Sequence, residues 1–335
     1  MKNVSRYGIA AMLAVTALGA QAQSSVNLYG LIDLSIGSTK PIGGSSQTGI
    51  DNGKLTTSYF GFRGSEDLGG GLSAVFKLES YLRADTGASG RFNGDTLFAR
   101  TASVGLSSNT FGTFTLGRNT TPLFVSTLSF NAFGDSFGYS PSIRHYFDGG
   151  AVVTGDSAWS NSVLYASPDF SGLKFGLIAA TKSGTSGNIN SNSNGGNWGA
   201  NVGYAAGPLA VALVYQDVKK DGVAPVPDTR TWQLDGAYDF GVARTFLQLG
   251  QVKNTTTNVT YRLVDVGAKI PVGSGNVLVQ YGRLSPDVGD KTNTVSLGYS
   301  YNMSRRTELY AAAMRDKKDN LSVGSSYSLG IRHRF

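Results

Sequence analysis

The side chains of this sequence that could do chemistry are charges and rings spaced two apart, rather than a nucleophile beside a base. There is no cysteine, and the only histidines are His145 and His333. Thiolate catalysis, disulfides and thiolate metal sites are therefore excluded. Neither histidine is accompanied by a His-Glu-x-x-His or Gly-x-Ser-x-Gly pattern, the arrangements that would make it a metal ligand or a base beside a serine. By contrast Lys77, Glu79, Tyr81 and Arg83 occupy alternate positions of one segment, and Arg63 shares its parity with Tyr59 and Gly61. Groups at that spacing stand on one face of a strand. Like charges gathered around a narrow opening select ions by sign.

Strands must position them. Val26, Leu28, Gly30, Ile32, Leu34 and Ile36 alternate with Asn27, Tyr29, Asp33 and Ser35. The end of the chain repeats the pattern, with Tyr327, Leu329, Ile331, His333 and Phe335 against Ser326, Ser328, Gly330, Arg332 and Arg334. Period two with one apolar and one wet face is the mark of a strand, and none of these segments carries a helical stripe. Sixteen segments of this kind begin near residues 25, 55, 71, 95, 111, 160, 172, 197, 208, 230, 243, 261, 276, 292, 306 and 323. Short turns such as 67–71, 168–171, 206–208 and 303–305 alternate with longer polar loops at 37–54, 85–95, 183–196 and 219–229. Alternation of trimmed and elaborated ends is the layout of an outer-membrane barrel.

Composition decides which face meets which solvent. Of 335 residues, 45 are glycine and only 15% are charged, against about 7% and about 25% in ordinary soluble chains. Aromatic residues are too plentiful for disorder. No apolar run beyond the first two dozen residues reaches the roughly 18 that a membrane helix needs. Charges stand in mid-strand opposite Leu72, Ala74, Phe76, Leu78 and Leu82, and rings gather at strand ends, as at Tyr238, Phe240, Tyr299, Tyr301 and Phe335. In a soluble sandwich the apolar face points inward; here the pattern fits an apolar, ring-capped outer face and a polar lumen. The expected fold class is all-β, a 16-stranded antiparallel transmembrane barrel.

Residues 1–22 have the layout of a cleaved secretory signal peptide. Lys2 and Arg6 precede an apolar stretch from Ile9 to Ala20, and Ala20-Gln21-Ala22 fits the small-x-small rule. Fold reasoning then covers 23–335, with the formal charge reduced from +7 to +5. No basic run suggests nucleic acid as a partner.

Several stretches together resemble the general porins of Gram-negative β-proteobacteria. They are Val26-Asn27-Leu28-Tyr29-Gly30-Leu31-Ile32-Asp33, the run from Phe60 to Leu72, Val104-Gly105-Leu106, Leu116-Gly117-Arg118, Asn161-Ser162-Val163 and Gly330 to Phe335. The resemblance spans the mature chain. It implies a homotrimer of sixteen-stranded barrels in the outer membrane, among lipid and lipopolysaccharide, each with a water-filled pore narrowed by a loop folded inside. Terminal Phe335, preceded by alternating apolar residues, looks like the strand read by the barrel-assembly machinery.

The segment from Asn119 to about Ser160 lacks alternation, and a loop of that length is functional or disordered. Five phenylalanines, at 124, 130, 133, 137 and 147, suit it to packing against a wall, and it is the expected constriction loop within 119–160. The resemblance carries a basic pore cluster onto Arg63, Arg100 and Arg118, with Lys77 and Arg83 on the same wet strand. Glu79, Asp135 and Asp148 are the expected acids, and Arg144 is a further basic member of the loop. Arg100 shares its parity with Val104 and Leu106, which leaves its direction open. Where related chains often carry another arginine, this one has Ala158 and Trp159, so the cluster is expected to be smaller.

The function expected is passive passage of ions and small hydrophilic solutes with a modest preference for anions, including organic acids. No cofactor, metal or enzymatic activity is expected. The alternative is a substrate-specific channel for organic anions or sugars, with Tyr29, Tyr59 and Tyr81 as the start of a track without visible order. An adhesin is the third reading, its cue being the Ser/Asn/Gly tract 183–197.

Overall fold

The computed structural model describes residues 25–147, 157–181, 196–219 and 228–335. The expected signal peptide, Asp148 and most of the 183–197 tract lie outside them.

The chain runs as β1 (Ser25–Lys40), β2 (Gln47–Asn52), β3 (Tyr59–Gly69), β4 (Leu72–Arg83), β5 (Ala88–Ser89), β6 (Thr101–Ser108) and β7 (Gly112–Thr120). Two short helices follow, α1 (Pro122–Ser129) and α2 (Pro141–Phe147). Then come β8 (Ala158–Ala166), β9 (Leu173–Ala180), β10 (Asn197–Ala206), β11 (Leu209–Val218), β12 (Thr229–Asp239) and β13 (Arg244–Asn254). The last are β14 (Thr260–Val272), β15 (Gly275–Pro286), β16 (Thr292–Asn302), β17 (Thr307–Lys318) and β18 (Gly324–Arg334). Consecutive staves pair antiparallel, and β18 returns to β1 from Leu31↔Arg334 to Lys40↔Ser325. The sheet is thus a closed barrel with no free edge, as a bilayer requires. It has sixteen staves, because β5 is a two-residue pairing on β4 and β2 and β3 share one stave.

That shared stave departs from the sequence expectation of a loop over 37–54. β1 continues to Lys40, and β2 pairs with its outer half while β3 pairs with its inner half. Residues 53–58, between them, leave the sheet as an inward strap. Gly53 at φ +73° makes the turn, a conformation that costs a residue with a β-carbon more than glycine.

Along the staves the apolar residues are outside and the polar ones inside. In β12, Trp232, Leu234 and Tyr238 are exposed, while Thr231, Gln233 and Asp235 are buried. The outward rings of Tyr238, Phe240, Tyr299 and Tyr301 cluster at strand ends, where amphipathic rings suit the membrane interface. Phe335 closes the seam through paired backbone bonds with Gly30, each 3.1 Å.

The core lies between the wall and the chain that crosses the lumen, residues 121–147. Leu123 and Tyr146 pack with Val214, Val252 and Leu263 of the wall, and Phe133 and Tyr139 pack with Phe246, Leu278 and Tyr310. The phenylalanine content that suggested wall packing has this role, with Phe124 set edge-on to Phe147 at 5.1 Å.

Candidate functional site

The loop's two helices, which the strand pattern did not suggest, begin where the sequence supplies caps. The Thr121 hydroxyl accepts the Phe124 N–H at 3.2 Å and Pro122 opens the first turn, which satisfies one orphan donor and spends no other. Hydroxyls on α1 then meet the wall: Ser126 donates to the Asp235 carboxylate and Thr127 donates to Gln233 at 3.1 Å. Farther along, Tyr139 and Ser328 share a hydrogen bond of 2.6 Å. Arg144 Nη2 donates to Asp316 Oδ2 at 2.8 Å, and His145 Nε2 lies 3.1 Å from the Thr294 hydroxyl. Burial and the neighbouring Arg144 push the His145 imidazole down to about 3, so it is neutral at ordinary pH. Burial pushes the Tyr139 phenol up to about 12.

Wall glycines are sockets for this loop. A β-carbon at Gly282 would lie 2.5 Å from Pro141, one at Gly298 would lie 3.1 Å from Phe133, and one at Gly250 would collide with the Tyr146 hydroxyl. Contacts this close leave no room for a side chain.

The strap lies directly against the loop. Asp33 is fully buried; one carboxylate oxygen accepts the Leu55 and Thr56 N–H groups at 2.8 Å, and the other accepts the Tyr310 hydroxyl at 2.7 Å. The Lys54 carbonyl accepts the Ser136 hydroxyl at 2.6 Å and the Gly138 N–H at 3.1 Å. The Thr56 hydroxyl accepts from Arg332 at 2.8 Å and donates to Asp135 at 2.9 Å. The narrowing therefore has two parts, loop and strap, stitched together at Thr56.

Below it opens a cavity of about 540 Å³ whose charged lining is Arg100, Arg244, Lys269, Arg332 and Arg334 with Asp135 and Glu308. Arg100 and Asp135, both expected from sequence, meet here. Arg100 lies in the bend before β6, with its N–H still donating to the Glu79 carbonyl at 3.2 Å, so strand parity does not fix its direction; it turns over the Tyr59 ring at 4.2 Å and pairs with Glu79 at 3.4 Å. Arg63 and Lys77 stand opposite each other on β3 and β4, both exposed. Arg118 sits at a register shift in β7, held by the Ala99 carbonyl and the Ser160 hydroxyl at 3.1 Å, and is not among the cavity residues. Arg83 donates to Asn93 at 2.8 Å, within the outer loop that follows β4. At the position of the missing arginine, Trp159 is buried against Ile178, Ala180 and Val218.

The sequence reading did not single out Arg244, Lys269, Arg332 or Arg334. Parity was available for the last two, since both alternate with Ile331 and His333. Nothing in the sequence indicates that β13, β14 and β18 line one cavity with residues of the strap and loop, because that depends on closure.

A closed sixteen-stave barrel, apolar outside, polar inside and narrowed by its own chain, is the architecture of an outer-membrane diffusion channel. The family model described as Gram-negative porin matches residues 10–321, and the chain belongs to that family. It is 32% identical to outer membrane porin protein 32 of Delftia acidovorans, over 98% of this chain and 100% of the relative. It is also 32% identical to an outer membrane porin protein of Bordetella pertussis, over 97% of this chain and 98% of that relative. Among solved structures it resembles an anion-selective porin from Comamonas acidovorans, with a TM-score of 0.79 and 29% identity, over 93% of this chain and 100% of that one. The protein is an outer-membrane porin of a Gram-negative bacterium that forms a water-filled pore for passive diffusion of ions and small hydrophilic solutes.

Proposed function

We propose that the pore prefers anions, as the name of its Comamonas structural relative says of that protein. The observation that carries this is how the lumen's charges are sorted. Asp33, Asp235, Asp265 and Asp316 are buried under the loop or strap, and Glu79 and Glu308 are buried beside Arg100 and Arg332. Arg63, Lys77, Arg244, Lys269 and Arg334 are exposed and make no ion pair with a described residue. A permeating ion meets guanidinium and ammonium groups, while most of the acids are covered. Guanidinium stays charged at any working pH, and the surplus attracts anions within a Debye length of about 8–10 Å.

In this reading Arg63, Lys77 and Arg100 work with the four further cations, and half-buried Asp135 is the loop's acid at the narrowing. Arg118 and Arg83 support the wall and the outer loop. The exposed apolar belt suits a homotrimer set in lipid and lipopolysaccharide, and the Phe335 seam suits recognition by the barrel-assembly machinery. Residues 1–22 act as the export signal.

The test is the zero-current potential of the purified protein in a planar bilayer with a potassium chloride gradient. The sign expected is that of chloride moving more freely than potassium. A potential of the opposite sign refutes the reading.

A further inference from the structure

Three tyrosines and three arginines are interleaved down one wall of the pore. Arg91, in the outer loop, lies 5.1 Å from the centre of the Tyr81 ring. Arg100 lies between Tyr81, at 5.8 Å, and Tyr59, at 4.2 Å. Tyr59 meets Tyr29 edge-on with centroids 6.2 Å apart, and Arg63 covers Tyr29 at 4.7 Å. Strand register sets the order. Tyr59 is directly opposite Tyr81, the next inward level joins Tyr29, Gly61 and Glu79, and the level below holds Arg63. The ladder thus descends from the outer loop, past the narrowing, into the periplasmic half.

Glu79 fixes its middle. It accepts the Tyr29 hydroxyl at 2.6 Å and lies 3.4 Å from Arg100 Nε. Gly61 stands between Tyr29 and Glu79, and a β-carbon there would come within 2.9 Å of Glu79 Cγ. Arg100 faces Glu79 through its buried Nε at 3.4 Å, and its guanidinium donates no hydrogen bond to any described residue, which leaves the two terminal nitrogens to spend. Yet Arg100 and Tyr59 both line the cavity. A stacked, immobilised guanidinium with unspent donors beside an accessible ring is prepared for a ligand having both a π face and a negative charge.

We propose that this ladder is a track for small aromatic carboxylates. The ligand ring lies against Tyr59 and the guanidinium faces, and its carboxylate accepts from Arg100. Inorganic anions would use the arginines but gain nothing from the rings. Sugars would need free acceptors, and the one acid in the ladder is already engaged by Tyr29 and Arg100. The inference rests on the anion-passing reading above and adds a class of solute to it.

The test compares benzoate with cyclohexanecarboxylate, two carboxylates of equal charge and similar size of which only one is aromatic. Each is titrated into chloride on the purified protein in a planar bilayer, and block of single-channel chloride current is measured. Benzoate is expected to block at a concentration lower by about fivefold, the scale of one stacking contact. Tyr59→Leu should erase the difference and Tyr59→Phe should keep it. Equal block of the unaltered protein by the two acids overturns the proposal, and so does a benzoate preference that survives in Tyr59→Leu. Because the preference is read within one protein, it is independent of the zero-current potential, which decides the anion reading separately.

Discussion

The carboxylate of Asp33 accepts the backbone N–H of Thr56 at 2.8 Å, and the pore's second constricting element depends on that contact. The same oxygen holds Leu55 N–H, and the other holds the Tyr310 hydroxyl. Asp33→Ala would leave three buried donors, the Leu55 and Thr56 N–H groups and the Tyr310 hydroxyl, without this acceptor, at about 1–3 kcal/mol each. The variant should unfold at a lower temperature and give larger, noisier single-channel currents as the strap leaves the pore. Currents indistinguishable from the parent would mean that the strap holds its place without Asp33.

Gly250 and Gly49 make a matched pair. A methyl group at Gly250 meets the Tyr146 hydroxyl, whereas nothing stands within 4 Å of one at Gly49. Gly250→Ala should cost about 1–3 kcal/mol by overpacking and alter conductance through a displaced loop, while Gly49→Ala should leave conductance as it is. Heat-shift electrophoresis and bilayer recording read the two effects, and equal behaviour of the pair would rule out the socket.

His145 gives the loop a dependence on acid. It faces Thr294, the Asp265 carboxylate at 4.0 Å and its neighbour Arg144, with Asp316 behind Thr294. Its folded value, lowered to about 3, lies below the ordinary value of about 6.5. The unfolded state therefore binds more protons between those two values. This contribution to stability is complete above about pH 6.5 and is lost as pH falls toward 3. Thermal unfolding followed across that window should show a shallower acid decline in His145→Gln than in the parent.

The exposed cations of β13 and β14 are register partners, Arg244 opposite Lys269. Changing both to glutamate should move the zero-current potential toward, or past, equal permeability of the two ions. Arg230→Gln is the control, since Arg230 shares the outward parity of Trp232 and pairs with Asp217 at the outer end of its strand. A potential that responds to neither change would place selection elsewhere in the pore.

How much was legible in advance follows from the range of each interaction. Alternation placed the staves within a few residues, because each strand's two faces meet different solvents locally. It failed at residues 37–58, where β2 continues the stave of β3: the interruption is stabilised by Asp33 and Tyr310, the latter 277 residues away from Asp33. It also gave no sign of α1, held by hydroxyl contacts with Gln233 and Asp235, or of α2, where the Ser142 hydroxyl accepts from Gln280 at 3.2 Å.

The sequence by itself determined that this is a barrel turned apolar side out, with a long phenylalanine-rich segment suited to packing against a wall and charge confined to lumen and loops. Period two, solvent inversion and composition are local properties and need no partner to be read. Only the tertiary structure decided which charges face the permeating ion. Closure brings β18 to β1, loop and strap cover the acids, and three tyrosines from three strands take their places between arginines. Those outcomes depend on register around a closed sheet, which no single stretch of chain contains.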